Sequence, residues 1–120
     1  MLNSKLKMKP SFHKPEVIEK AWGEEIVICN SDLYCGKILD FKKGHHSSLH
    51  YHEVKTETWY VLSGLLTLEY SGGSKTLAPG DVVHLPPLAA HKLTALTDST
   101  ILEVSTTHHD SDTTRLSVSG

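Results

Sequence analysis

The sequence lacks the features that mark membrane, secreted and nucleic-acid-binding proteins. No apolar run approaches the length of a membrane span, and the polar N-terminus has no signal-peptide core. The formal net charge is only -2 and shows no pattern, so nothing indicates binding to nucleic acid or to an anionic membrane. We therefore expect a cytoplasmic protein that binds neither.

Cysteine and helical periodicity are also scarce. Cys29 and Cys35 are the only cysteines, too few for a disulfide framework, and we expect free thiols. Short apolar or alternating segments are interrupted by turn residues at intervals of roughly 8–12 residues, which predicts about ten short strands. An all-β sandwich or barrel follows, and 120 residues suffice for one domain. We expect a flexible arm or edge strand over residues 1–15, the barrel over 16–107 and a polar tail over 108–120.

Histidine is the residue in excess. The chain has nine, and four of them lie between His45 and His52. In an extended strand His50 and His52 point to the same side, and Glu57 follows on the next strand. Two imidazoles and a carboxylate provide three ligands of a metal site, with His91 as the best-placed fourth. The alternative is that these histidines line a barrel without metal.

The spacing of these residues resembles a known pattern. The first motif of the cupin superfamily has the intervals found here between Gly44, His50, His52, Glu57 and Gly64. The match has no gap.

A second, looser motif resembles the same superfamily. A Pro79-Gly80-Asp81 turn and the run over residues 86–91 are similar to the segment that carries the last histidine ligand. Leu88 stands where that pattern has glycine, and Ala95 where it often has asparagine. The resemblance implies a cupin-type double-stranded β-helix, or jelly-roll barrel. Its single metal ion would be zinc, manganese, iron or nickel, bound by His50, His52, Glu57 and His91.

Further segments are similar to the cupin domain of type II mannose-6-phosphate isomerases. They are residues 20–24, 48–52, 57–64, 91–93, 102–104 and 112–116. His50 stands where that family commonly has glutamine, and Ala21 replaces a proline. The acidic run that usually follows the arginine is replaced by residues 117–120. The resemblance implies isomerisation or epimerisation of a sugar or sugar phosphate.

In such a reaction a metal ion polarises the carbonyl and hydroxyl oxygens, and a base moves a proton between adjacent carbons. Candidates for the base are Lys37, Glu103 and a metal-bound hydroxide. Lys37 shares a strand face with Leu39 and Phe41 and so can project into the cavity. The alternative for Lys37 is a solvated position at the strand end.

Three residues are candidates for substrate binding. Arg115 is the only arginine, and its planar fork suits a phosphate or carboxylate, although its position in the tail favours a simple surface role. Lys55 stands beside the ligand loop, where the isomerase family tends to have arginine. Trp59 shares strand parity with Glu57 and can stack on a sugar ring or belong to the core.

Two other functions fit the same ligands. Three histidines and a glutamate also suit an Fe(II)-dependent dioxygenase of a small molecule, and a metal- or sugar-binding module without catalysis is the third possibility. We expect a homodimer formed through edge strands or exchange of the N-terminal arm.

Overall fold

The computed structural model describes residues 4–120, and in that range it has eleven strands and two short 3-10 helices. The strands are β1 (Glu16–Lys20), β2 (Gly23–Asn30), β3 (Cys35–Phe41), β4 (His50–His52), β5 (Glu57–Ser63), β6 (Leu66–Tyr70), β7 (Gly73–Leu77), β8 (Val82–Leu85), β9 (His91–Ala95), β10 (Ser99–Ser105) and β11 (Thr113–Arg115). The helices are Ser4–Leu6 and Asp110–Asp112. The all-β jelly-roll prediction is confirmed. The first three residues of the predicted arm lie outside the described residues.

The strands form two antiparallel sheets that pack face to face. The six-stranded sheet has the order β1-β2-β3-β10-β5-β8, and the five-stranded sheet has the order β11-β4-β9-β6-β7. Neither helix in the described part of the chain is long and apolar enough to cross a membrane. The space between the sheets holds both the core and the candidate site.

Alternation along the strands determines what faces this space. In β3 every second residue is buried, which places Cys35, Lys37, Leu39 and Phe41 on the inner face. The apolar core comes from both sheets: Trp22, Leu39, Phe41, Trp59, Val61, Leu66, Leu68, Leu77, Leu85, Leu93, Ala95 and Ile101. Lys37 is only 4% exposed, which excludes a solvated position at the strand end.

The strand that carries two of the histidines is shorter than the alternation predicts. The pattern indicates a strand over residues 48–53, whereas β4 spans only His50–His52. The preceding residues bond to β9 partly through a side chain, because the backbone N–H of Leu93 donates to Ser47 Oγ at 3.0 Å. A hydroxyl therefore takes the place of a backbone acceptor.

Backbone conformation explains two positions of the cupin pattern. Gly64 has a φ of 85°, and a side chain there would collide with the backbone of Asp98 and Ser99. Leu88, which replaces a glycine of the second motif, has a φ of 69°. It is the one non-glycine residue with positive φ in the described range, and its N–H donates to the His52 carbonyl at 2.7 Å. Leu88 therefore adopts a left-handed backbone conformation next to β4, the strand that carries His50 and His52.

Replacing this leucine should stabilise the protein. A left-handed conformation costs a side-chain-bearing residue about 1–2 kcal/mol, and Leu88 is 67% exposed, so little packing is lost. We expect Leu88→Gly to raise the free energy of unfolding of the metal-free protein by about 0.5–1 kcal/mol, after the entropic cost of glycine. Leu65→Gly, at an exposed site with negative φ, should lower it by about 1 kcal/mol. Urea unfolding measures both variants. An equal loss of stability in Leu88→Gly and Leu65→Gly would contradict backbone strain at Leu88.

Candidate metal centre

Three histidines of the five-stranded sheet converge between the sheets. His50 and His52 lie on β4, and His50 pairs directly with His91 of β9. One ring nitrogen from each of the three lies within 4.8 Å of the others. His52 and His91 are buried and His50 is half-buried. The structure therefore brings together three of the four predicted ligands as a possible metal-binding cluster.

Backbone carbonyls orient all three rings. Nδ1 of His50 lies 2.9 Å from the Ser48 carbonyl, Nδ1 of His91 lies 2.8 Å from the Ala89 carbonyl, and Nδ1 of His52 lies 3.1 Å from the Asp112 carbonyl. A carbonyl oxygen can only accept, so each Nδ1 carries the proton and donates it. Each Nε2 is left with a free lone pair, the arrangement found at histidine metal ligands.

The environment also keeps these rings neutral. Burial, with a contribution from neighbouring charges, lowers the pKa of His50, His52 and His91 to about 4. A neutral imidazole is the form that binds a metal ion. At neutral pH the three rings are therefore ready to act as ligands.

The predicted carboxylate reaches the cluster from the opposite sheet. Glu57 begins β5, and its Oε2 lies 3.5 Å from His52 Nε2 and 3.8 Å from His91 Nε2. Donor atoms bound to one ion at about 2.1 Å lie about 3–3.5 Å apart, so only a small contraction is needed. Three neutral imidazoles and one carboxylate suit a divalent transition metal. The side chains present fit such an ion.

Two predicted catalytic residues, Lys37 and Glu103, and the predicted substrate-binding residue Trp59 lie beside the cluster on the inner face of the six-stranded sheet. Lys37 of β3, Glu103 of β10 and Trp59 of β5 are cross-strand neighbours in one row. They are each less than 5% exposed and line the same cavity as the histidines. The cavity has a volume of about 120 Å³, room for several waters or the reacting end of a small molecule.

Lys55 is not available as a simple anion-binding residue. Its Nζ donates to Glu103 Oε2 at 3.0 Å and lies 3.6 Å from Glu57 Oε1 and 3.2 Å from His108 Nδ1. Burial alone would lower the pKa of Lys55, but Glu103 and Glu57 raise it above its usual range. Burial and then Glu57 raise the pKa of Glu103. Lys55 thus links two buried carboxyl groups beside the cluster.

Two cations with no ion pair among the described residues line the cavity at its outer part. Arg115 of β11 is exposed and pairs across the ladder with His50. Lys20, at the end of β1, is half-buried. Lys37, in contrast, donates to Glu25 Oε1 at 3.1 Å. The unpaired positive charge therefore lies at the mouth of the cavity.

The sequence analysis did not identify His108 and Asp112 as part of this region. His108 is half-buried, and its Nε2 lies 2.9 Å from Asp110 Oδ1. The Asp112 carboxylate accepts from the backbone N–H groups of residues 53, 54 and 55, and so holds the loop between His52 and Glu57. Burial raises the pKa of Asp112, but these N–H donors lower it below its ordinary range overall. Only the resemblance over residues 112–116 marked this segment.

The remaining histidines lie away from the cluster. His13, His45, His84 and His109 are exposed, and His46 is half-buried, with its Nδ1 bonded to the Ser47 carbonyl. Both cysteines are free thiols.

Comparison with known protein families identifies the family to which this chain belongs. Residues 37–108 match the family model described as "Cupin domain", which covers more than half of the chain. The protein is a cupin. The matched range contains His50, His52, Glu57 and His91, so the cluster lies inside the part of the chain that defines the family.

Three relatives illustrate the range of similar proteins. Quercetin 2,3-dioxygenase of Bacillus subtilis (strain 168) is 43% identical over 49 residues, which are 41% of this chain and only 14% of that protein. The structure of KdgF from Halomonas sp. has a TM-score of 0.71 at 23% identity, covering 82% of this chain and 92% of that one. A sugar phosphate isomerase of the cupin superfamily from Silicibacter pomeroyi DSS-3 has a TM-score of 0.63 at 26% identity, covering 71% and 59%. The relatives share the fold and differ in what their names describe.

Removing one ligand should remove the metal. We expect His52→Ala to lose stoichiometric metal after loading with Zn²⁺ or Mn²⁺ and desalting, because loss of one of four ligands weakens binding enough for the ion to be removed. His84→Ala, at an exposed histidine of the same sheet as Glu57, should keep one ion per chain. Elemental analysis of untagged protein measures both, with circular dichroism as the check on folding. Retained metal in His52→Ala would mean that the ligands are misassigned.

Acid should destabilise the metal-free protein in a defined window. The three cluster histidines have a pKa of about 4 when folded and about 6.5 when unfolded, so between these values the unfolded chain binds more protons. Their contribution to stability is complete above pH 6.5 and is lost as pH falls towards 4. Urea unfolding of metal-free protein at stepped pH measures this. A free energy of unfolding that stays constant from pH 6.5 to 4 would contradict it.

Proposed function

We propose that this cupin is a metal-dependent isomerase or epimerase of a sugar phosphate. The observation that carries the proposal is the row formed by Lys37, Glu103 and Trp59 in the cavity that also holds the three histidines. In this proposal the row would supply proton-transfer groups and an aromatic wall beside the metal.

The metal would be held by His50, His52, His91 and Glu57. When bound, it would supply Lewis-acid polarisation of the substrate's carbonyl and neighbouring hydroxyl oxygens, which acidifies the proton on the carbon between them. Glu57 turns Oε2 towards the histidines while its Oε1 faces Lys55 at 3.6 Å. That contact orients the carboxylate and offsets part of its charge.

Glu103 is our candidate for the group that moves the proton. Its Oε2 accepts from Lys55, and its Oε1 lies 3.4 Å from Trp59 Nε1, so the carboxyl group is fixed at the cavity wall. A carboxyl group fixed in this way can take a proton from one carbon and return it to the next. Lys37, whose Nζ donates to Glu25, would stabilise the oxygens of the substrate by hydrogen bonding.

The outer part of the cavity suits the phosphate. Arg115 and Lys20 line it and have no ion pair among the described residues, whereas Lys55 is already bound to Glu103. We therefore assign anion binding mainly to Arg115 and Lys20. Lys55 would instead orient the carboxyl groups of Glu57 and Glu103. Trp59 is 2% exposed and closes the cavity wall near His91, at a ring-centroid distance of 5.2 Å.

A second candidate is a dioxygenase acting on a small molecule. The 43% identity to quercetin 2,3-dioxygenase favours it, although the match spans only 14% of that protein. Three histidines and a carboxylate are also a suitable ligand set for Fe(II). The two candidates differ in whether oxygen is consumed.

Deuterium exchange tests the isomerase. We expect metal-loaded protein in D₂O to introduce deuterium at C1 or C2 of fructose 6-phosphate or mannose 6-phosphate, observed by NMR. Glu103→Gln, which keeps shape but removes the base, should lower the exchange rate by about 100-fold or more. Glu69→Gln, at an exposed glutamate of β6, should remain within twofold. Metal content is measured for each variant, so that loss of metal is distinguished from loss of the base.

The alternatives have their own results. Oxygen uptake on addition of a small-molecule substrate to Fe(II)-loaded protein, without deuterium exchange, would replace the isomerase by the dioxygenase. Neither exchange nor uptake across a panel of sugars and phenols, with stoichiometric metal retained, would leave a binding module.

A further inference from the structure

The metal-ligand loop, defined as residues 53–56, joins two of the candidate ligands, His52 and Glu57. Each of its four backbone N–H groups donates to a side chain of the segment that follows β10. Asp112 Oδ1 accepts from residues 53 and 54 at 2.9 and 3.1 Å, and Asp112 Oδ2 accepts from residue 55 at 3.0 Å. Thr106 Oγ1 accepts from residue 56 at 3.1 Å. Side chains 50 to 59 residues further along the chain therefore shape this loop.

Asp112 also contacts one of the ligands directly. Its backbone carbonyl accepts from His52 Nδ1 at 3.1 Å, and the next residue, Thr113, pairs with His52 between β4 and β11. The carbonyl of Asp112 thus orients the His52 ring, while its carboxylate fixes the loop that leads to Glu57. Asp112 lies outside residues 37–108, the range that matches the family model, so the cupin pattern itself assigns it no role.

We propose that Asp112 is a positioning residue of the metal centre, which sets the separation of His52 and Glu57 and thereby the affinity for the ion. His52 Nε2 and Glu57 Oε2 are 3.5 Å apart, close to the distance between two donors on one ion. Metal–ligand distances tolerate a deviation of only about 0.2 Å. A released loop would have to be ordered again when the ion binds, and this entropic cost would weaken binding.

Zinc titration of the full chain tests this role. Asp112→Ala should raise the Zn²⁺ dissociation constant about 10–100-fold, the range expected when a group that orients a metal ligand is lost. Asp112→Asn keeps one acceptor oxygen and should raise the constant by less, about threefold to tenfold. Competition with a chromogenic chelator measures each constant without a substrate. The proposal rests on the metal centre and not on the isomerase reaction, so absence of isomerase activity would leave it standing.

Asp81→Ala is the matched control. Asp81 is half-buried like Asp112, and its Oδ2 accepts from the backbone N–H of Ala78 at 2.8 Å, in a turn that contains none of the candidate ligands. We expect both alanine variants to lose stability in urea unfolding, because each loses charge-assisted hydrogen bonds. Only Asp112→Ala should also bind zinc more weakly, since stability alone does not set the geometry of the ligands.

Three results would overturn the proposal. The first is a Zn²⁺ dissociation constant of Asp112→Ala within about twofold of that of the unaltered protein. The second is an equal increase in Asp81→Ala, which would indicate general destabilisation. The third is an unaltered protein that binds no zinc, which would remove the metal centre as well. If Asp112→Ala fails to fold, Asp112→Asn is held to the same criteria.

A double-mutant cycle tests whether Asp112 acts through Glu57. Glu57→Ala retains the three histidines, so zinc binding is weaker but measurable. In that background Asp112→Ala should raise the dissociation constant by a smaller factor than in the unaltered protein, because one of the two ligands that it positions is absent. An equal factor in both backgrounds would overturn the assignment of Glu57 to this contact.

Discussion

Three imidazoles, two of them buried and one half-buried, can share one small volume only if none carries a proton on the nitrogen that faces the others. The carbonyls of Ser48, Ala89 and Asp112 secure this by accepting from each Nδ1. Burial then lowers the pKa of all three rings, so their Nε2 lone pairs remain free at neutral pH. The arrangement joins the site to the fold, because the ring-orienting carbonyls lie on three different segments of the chain.

The opposite sheet supplies the charge that the histidines lack. Glu57 points one oxygen to the cluster and the other to Lys55, and Lys55 in turn holds Glu103. Burying two carboxyl groups a few ångströms apart is costly unless a cation lies between them. Lys55 provides that cation, which explains why a lysine in a loop is only 3% exposed. Asp112 keeps the loop in place by accepting from its backbone N–H groups.

Local patterns in the sequence were sufficient to predict the fold class and the histidine cluster. Alternation predicts the strands, and the spacing of His50 and His52 predicts two rings on one face. Contacts between distant positions were beyond such patterns: Lys55 meets Glu103 across 48 residues and His108 across 53. Sequence spacing reports neighbours within one element, whereas these features depend on topology.

The charge of the cavity bears on the class of substrate more directly than the identity of the metal ligands does. The cavity is lined by four carboxyl groups and by an equal number of cations, so their formal charges balance: Glu25, Glu57, Glu103 and Asp110 against Lys20, Lys37, Lys55 and Arg115. A divalent ion bound to the histidines would therefore make the cavity positive overall. Charges in a cleft between low-dielectric sheets act over longer distances than they do in water. A metal-loaded site with a positive charge would attract an anion, which supports the proposal of a phosphorylated substrate over a neutral sugar.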